Sequence, residues 1–230
     1  MKKVILVSGK LQSGKNQFTE YLQTHLESKG LHVATDLFAR GVKDGSKEDF
    51  KEIYEYINTV VNESIKDLRY LPEAPKQLDN IISNLEQLLT TTDNFYEDKT
   101  DLTRKMLQIY GTNIFRQRVD NDYWVSNTCN RIQAHFENSK DVVILTDVRF
   151  PNEIDFVKDY FTPLLDRPCQ ADVVSIRINR EVERTNNINE HESEKALDDY
   201  ENFTTRVNNN ADLESLKNKA VIIADKYIKE

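Results

Sequence analysis

Apolar and polar positions along the chain follow two periods in turn, and the changes between them mark out strands and helices. Val4-Ile5-Leu6-Val7 is an uninterrupted apolar run, the pattern of a strand buried on both faces. From Gly14 to Lys29 the positions Phe18, Leu22 and Leu26 recur every fourth residue, one apolar stripe of a helix, and Gly30 supplies its C-cap. Residues 31–37 read as a second strand, and Phe38-Ala39-Arg40 begins a short helix or turn. Over 44–101, Phe50, Ile53, Ile57 and Val61, then Leu78, Ile81, Leu85 and Leu88, keep helical spacing, with Pro72 and Pro75 separating two helices. A further helical run covers 102–118, with Gly111-Thr112 inside it. Another helix starts near Asp122 and carries Trp124, Thr128, Ile132 and Phe136 on one face.

Residues 141–146 (DVVILT) form the most apolar segment and are expected to be a central strand. Pro151 opens another helix, at a position where its missing N–H costs nothing. Residues 172–178 (DVVSIRI) and 203–207 read as the last strands. From Asp212 onward, Leu213, Leu216, Ala220, Ile223 and Tyr227 make an amphipathic closing helix. Strands alternating with helices specify an α/β fold, a doubly wound parallel sheet of about five strands flanked by helices. The core comprises 1–43 and 102–230, and 44–101 is a helical insertion between the second and third strands. No internal repeat interrupts this order.

Composition narrows the picture. A length of 230 residues suits one α/β domain with an insertion, or two small domains. The net charge of −8 excludes a broad electrostatic footprint for nucleic acid, while leaving room for a local cluster of Arg and Lys. No apolar run approaches the roughly 20 residues of a membrane span, and the first apolar run is too short for a signal peptide. Cys129 and Cys169 lie far apart without metal-ligand spacing, which points to ordinary thiols in a reducing, cytoplasmic compartment.

The candidate chemistry begins directly after the first strand. Gly9-Lys10-Leu11-Gln12-Ser13-Gly14-Lys15 has the spacing G-x-x-x-x-G-K between a strand and a helix, which is the P-loop arrangement. Its glycines let backbone N–H groups turn inward around a polyphosphate, and the helix dipole adds to their pull. Gly9, Lys10, Gln12, Ser13, Gly14, Lys15, Asn16 and Gln17 are therefore the expected ATP-binding residues, with Lys15 reaching the β- and γ-phosphates. Asn16 stands where a Ser or Thr usually holds Mg²⁺, which weakens a metal role at that position but not phosphate binding.

Other candidates follow from placement. Asp147 ends an apolar strand, where an acidic residue faces the same sheet edge as the P-loop and can hold Mg²⁺ through water or orient an acceptor. Arg149, two residues on, is placed for a phosphate. Phe38 and Arg40 sit just past the second strand; Arg40 is either a phosphate contact or a solvated charge. Arg69 is a weaker cleft candidate, and Trp124 is either core or the wall of a base pocket. The charged stretch 179–199 reads as a solvated helix pair or as a mobile lid bringing Arg180 and Arg184 over the phosphates. His191 lacks a second metal-ligating neighbour.

In this order the pieces resemble the deoxynucleoside monophosphate kinases of bacteriophages, members of the P-loop kinase superfamily. Leu107-Gln108-Ile109-Tyr110-Gly111-Thr112-Asn113-Ile114-Phe115-Arg116 is similar to their LQ-x-x-GT-x-x-x-R signature. Asp122-Tyr123-Trp124-Val125 is similar to a D-x-WV element. Asp147-Val148-Arg149-Phe150-Pro151-Asn152-Glu153 is close to their DVRFPNE block, and Ser193-Glu194 to a late SE pair. The resemblance implies that Arg116, Trp124, Asn127, Asp147, Arg149 and Glu153 line the acceptor site. It also implies that 179–199 is the lid and that the protein is a homodimer, in the host cytoplasm if phage-encoded.

The reaction so implied moves the γ-phosphoryl group of ATP to the 5′-phosphate of a deoxynucleotide. Lys15, Asp147, Arg180 and Arg184 are its catalytic residues, and Mg²⁺ is held mostly through water by Asp147, with Asn16 as a second candidate. Two alternatives stand beside it: a phosphomevalonate-type kinase, because the glycine loop and SE pair suit that family too, and a P-loop nucleotide switch without an acceptor.

Overall fold

The computed structural model describes residues 2–64, 79–80, 83, 107–162, 169–181 and 195–228. The chain divides into two compact units, Met1–Ala39 with Asp122–Glu230, and Arg40–Asn121. The sequence pattern bounds the insertion more narrowly, at 44–101.

Within the first unit, the described strands are β1 (Lys3–Gly9), β2 (Val33–Asp36), β3 (Val142–Val148), β4 (Asp172–Asn179) and β5 (Thr205–Asn208). They form one five-stranded sheet in the order β2-β3-β1-β4-β5, and every pairing is parallel. The expected central strand, β3, is second from the edge. The centre is β1, which pairs with β3 on one side and β4 on the other. Its placement has a physical reason: Val4, Ile5, Leu6 and Val7 are all fully buried, so this strand needs cover on both faces and both edges.

Alternation along β1 sorts the core into two layers. Val4 and Leu6 join Val125, Ile132, Ile154 and Phe161 from α3 (Tyr123–Glu137) and α4 (Pro151–Phe161). Ile5 and Val7 join Phe18, Leu22 and Leu26 of α1 (Lys15–Ser28) with Leu216, Ala220 and Ile223 of α5 (Leu213–Tyr227). The predicted stripes of α1 and α3 are thus the buried ones, and so are Leu216, Ala220 and Ile223 of α5, whereas Leu213 in its first turn is exposed and Tyr227 half-buried. Helix α1 ends as its Gly30 suggests, with the N–H groups of Gly30 and Leu31 donating to the carbonyls of Glu27 and Leu26. Asp212 caps α5 by accepting the Ser215 N–H at 2.8 Å.

Phe38 opens not a short helix or turn but the 27-residue helix α2 (Phe38–Ser64), which carries the chain into the second unit. In that unit the expected helical run near 102–118 is, over its described part, an 11-residue π-helix, Ile109–Val119. The wider turn is visible where the Asp120 N–H reaches back five residues to the Phe115 carbonyl at 3.0 Å. A methyl group on Gly111 would sit 3.0 Å from Val42 Cγ1, and the Tyr110 hydroxyl donates to Asp49. Arg69, Leu85, Leu88, Arg184, His191, Ser193 and Glu194 lie outside the described residues.

Candidate active site

A sheet in which the chain runs from the middle strand out to one edge and then crosses to the other has a crevice at the carboxyl ends of its central strands. Here the ends of β1, β3 and β4 meet in one cleft. Lys10 and Lys15 line it from the loop after β1, Asp147 and Arg149 from β3 and its end, and Arg177 from β4. Four cationic side chains and the Asp147 carboxylate line it, and Asp198 beside it pairs with Lys10 and Arg177. In a chain of net charge −8 this local reversal suits a polyanion.

The P-loop owes its shape to close packing. Gly9 leaves no room for a side chain, since a Cβ there would lie 2.4 Å from Ser13 Oγ. The chain then turns through Gln12 (φ 62) with the Ser13 N–H donating to the Lys10 carbonyl at 3.1 Å. Gly14 takes φ 87, and its missing Cβ leaves space for Asn209, whose side-chain nitrogen donates to the Ser13 carbonyl at 2.9 Å. Helix α1 starts immediately afterward with no acidic residue in its first turn, so its positive end is left for an anion. Ser13 Oγ is buried and, among the described residues, has no hydrogen-bond partner. Asn16 is exposed, and the Gln17 side chain donates to Glu20 at 3.0 Å.

Asp147 is the next-to-last residue of β3, within the strand rather than beyond it. Its Oδ1 accepts the Phe38 N–H at 2.8 Å and its Oδ2 the Ala39 N–H at 2.9 Å. The carboxylate therefore caps α2, a helix with no acidic residue of its own in the first turn. Burial pushes its carboxyl above the ordinary carboxylate range, and the two N–H groups and the Arg149 charge pull part of the way back. Lone pairs remain on both oxygens. A divalent ion bound here would have one protein carboxylate and the substrate phosphates, which fits Mg²⁺ keeping its own waters. Among the described residues no cluster of three His, Cys, Asp or Glu side chains offers a dedicated metal cage.

Glu153 is buried, and its Oε2 accepts the Arg149 and Phe150 N–H groups at 2.7 and 3.1 Å. It holds the loop that presents Arg149, so its reach toward a ligand runs through that loop. Trp124 is buried in the first turn of α3, edge-on to Tyr123. Asn127 accepts from Arg131, which also donates to Asp36 Oδ2 (3.1 Å) and to the Leu37 carbonyl (2.7 Å). Phe38 is buried in the first unit. Arg40 is exposed and Arg116 half-buried, both in the second unit. Arg180 is exposed at the end of β4, along an open groove that shares Lys10 and Arg177 with the cleft and continues past Arg206, Asn208 and Asn210.

Two residues absent from the sequence-based candidates belong to this site. Arg177 is buried in β4, opposite Ser8 in register, and its Nη1 donates to Ser8 Oγ at 2.8 Å. Ser8 in turn donates to the Val148 carbonyl at 2.9 Å, at the irregularity where the β1–β3 register shifts. The signal was available: an arginine inside the apolar run DVVSIRI must find an anion or an acceptor. Asn209 left no such signal, because its partner lies 196 residues away.

A family model described as deoxynucleotide monophosphate kinase matches residues 46–220, about three quarters of the chain. No curated protein matches. Among solved structures, an unliganded sugar kinase from Janibacter sp. is similar over 98% of this chain and 95% of its own, at 12% identity and a TM-score of 0.41. That likeness is too distant to bear on the site. No helix among the described residues is long and apolar enough to cross a membrane.

Proposed function

The chain belongs to the deoxynucleotide monophosphate kinase family, and on that premise we propose how its residues divide the work of phosphoryl transfer. The enzyme is a phosphotransferase whose acceptor is a deoxynucleoside monophosphate. The proposed donor is ATP with Mg²⁺. The single observation that carries the assignment is the cleft at the ends of β1, β3 and β4, where Lys10, Lys15, Arg149 and Arg177 meet around Asp147.

An oxygen of the acceptor 5′-phosphate attacks the γ-phosphorus in line. The bond to the β–γ bridging oxygen breaks, leaving a deoxynucleoside diphosphate and ADP. The attacking oxygen is already an anion near neutral pH, so the protein's task is positioning and charge neutralisation, not base catalysis. Lys15 and the P-loop amides hold the donor phosphates, with Gly9, Lys10, Gln12, Ser13, Gly14, Asn16 and Gln17 as the surrounding shell. Arg149 takes the acceptor phosphate with its fork of donors. Phe38, Trp124 and Asn127 serve the acceptor nucleoside, and Glu153 supports Arg149 from behind. Arg180 and Arg184 neutralise the transferring group. Asp147, through water, with Asn16 as a second candidate, would hold Mg²⁺, which would supply positive charge to the phosphates.

The resemblance to bacteriophage enzymes extends the proposal to a homodimer acting in the cytoplasm, that of the host if phage-encoded. Neither the phosphomevalonate reading nor the switch reading draws support from the family match. Steady-state kinetics with each substrate varied separately test the assignment. Lys15→Met should lower kcat on the order of a thousandfold, and Arg149→Ala should raise KM for the deoxynucleotide more than for ATP. Equal KM changes for both substrates in Arg149→Ala would remove the acceptor assignment.

A further inference from the structure

Asp198 sits where the phosphate cleft and the adjoining groove meet. Its Oδ2 receives Lys10 Nζ from the P-loop, and its Oδ1 receives Arg177 Nη2 from β4 at 3.1 Å. Lys10 and Arg177 are the two cations that line both the cleft and the groove, so one carboxylate spans the boundary between them. The side chains of Lys10 and Asp198 remain 30% and 35% exposed, whereas that of Arg177 is only 8% exposed and lies over the Phe203 ring.

We propose that Asp198 is a built-in stand-in for phosphate: it holds Lys10 and Arg177 while the site lacks nucleotide, and a polyphosphate takes its place. The inference rests on the reading of this cleft as the donor phosphate site. Four cations around one cleft repel one another, and Asp147 offsets at most one of their charges. Asp198 offsets at most one more, at Lys10 and Arg177. A buried guanidinium needs an anion at all times, and a phosphate matches its fork at least as well as a carboxylate. The Lys10 pair is open to water and therefore weak, so it opens readily. Asp198 would thus set affinity for the donor by competition, and it would discriminate against ligands with too little charge to displace it.

Inorganic tripolyphosphate is the probe, its binding measured by titration calorimetry at low and high salt. Asp198→Asn should bind it about fivefold more tightly than wild type at low salt, with the gain shrinking as salt rises. Asp198→Ser should show the same gain, which separates competition from any particular hydrogen bond made by Asn. Lys15→Met is the control for the underlying reading. If Lys15→Met binds as well as wild type, or wild type does not bind at all, the cleft is not the phosphate site and both claims fall. If Lys15→Met is weakened but the Asp198 variants bind equally or less tightly, the cleft stands and the stand-in role is overturned.

Discussion

The carboxylate of Asp147 lies 2.8 Å from the backbone nitrogen of Phe38, and through that contact the end of β3 caps a helix that begins 109 residues earlier. The same residue lines the phosphate cleft, so one side chain serves both the start of α2 and the chemistry. Its titration should report this double use. The folded protein holds the Asp147 proton more tightly than an unfolded chain does, because burial raises the carboxyl above 3.8. Folding is therefore favoured by protonation, a gain complete below 3.8 and lost as pH rises through the folded-state value. The melting temperature of wild type minus that of Asp147→Asn should increase as pH is lowered from neutral toward 3.8. A constant or falling difference would mean that burial does not dominate at this carboxylate.

Asn209 fastens the P-loop from the far end of the chain. Asn209→Ala leaves the Ser13 carbonyl without that donor, at a cost of about 1–3 kcal/mol. Urea unfolding measures that loss, and KM for ATP should rise with it, because the loop that loosens is the one around the phosphates. A variant with lowered stability and unchanged KM would reduce Asn209 to a purely structural fastening.

Much of this architecture is legible in the sequence, and the residues that are not share a cause. Val4–Val7, Phe18-Leu22-Leu26 and Leu216-Ala220-Ile223 announce themselves because burial on a strand or helix imposes a period. Phe38-Ala39-Arg40 reads as only a short helix or turn because the cap of α2 comes from Asp147, and no local pattern encodes a cap supplied by another strand. The π-helix Ile109–Val119 carries the same residue types as an α-helix, so spacing alone does not distinguish it. At the site, Gly9, Gly14 and Lys15 were visible as a motif. Arg177 stands as a buried charge between the apolar residues Ile176 and Ile178 of β4, and Asn209 becomes visible only in three dimensions.

Asp36 ends β2 with a side chain that is 0% exposed, answered by Arg131 Nε at 3.1 Å, His135 Nε2 at 3.3 Å and the Leu37 N–H at 2.7 Å. Arg131→Met removes its fixed positive charge and leaves a buried carboxylate undercompensated, which should cost about 3 kcal/mol or more. Chemical denaturation of wild type, Arg131→Met, Asp36→Asn and the double variant tests this. The double variant should recover part of the loss, and a double variant worse than the sum of the singles would contradict the account.

Glu153→Gln keeps one carbonyl oxygen for the Arg149 and Phe150 amides but loses the charge that strengthens both bonds. Stability should fall by about 1 kcal/mol, and KM for the deoxynucleotide should rise while KM for ATP stays near wild type. Matched increases in both constants would show that Glu153 supports the fold at large rather than the Arg149 loop.

The most direct test of the whole account is a coupled assay for diphosphate formation. Purified protein, ATP and Mg²⁺ are offered each deoxy- and ribonucleoside monophosphate in turn, with phosphomevalonate alongside. Conversion of one or more deoxynucleotides to diphosphates, abolished in Lys15→Met, is the predicted result. Silence on every nucleotide, or turnover of phosphomevalonate alone, would contradict it.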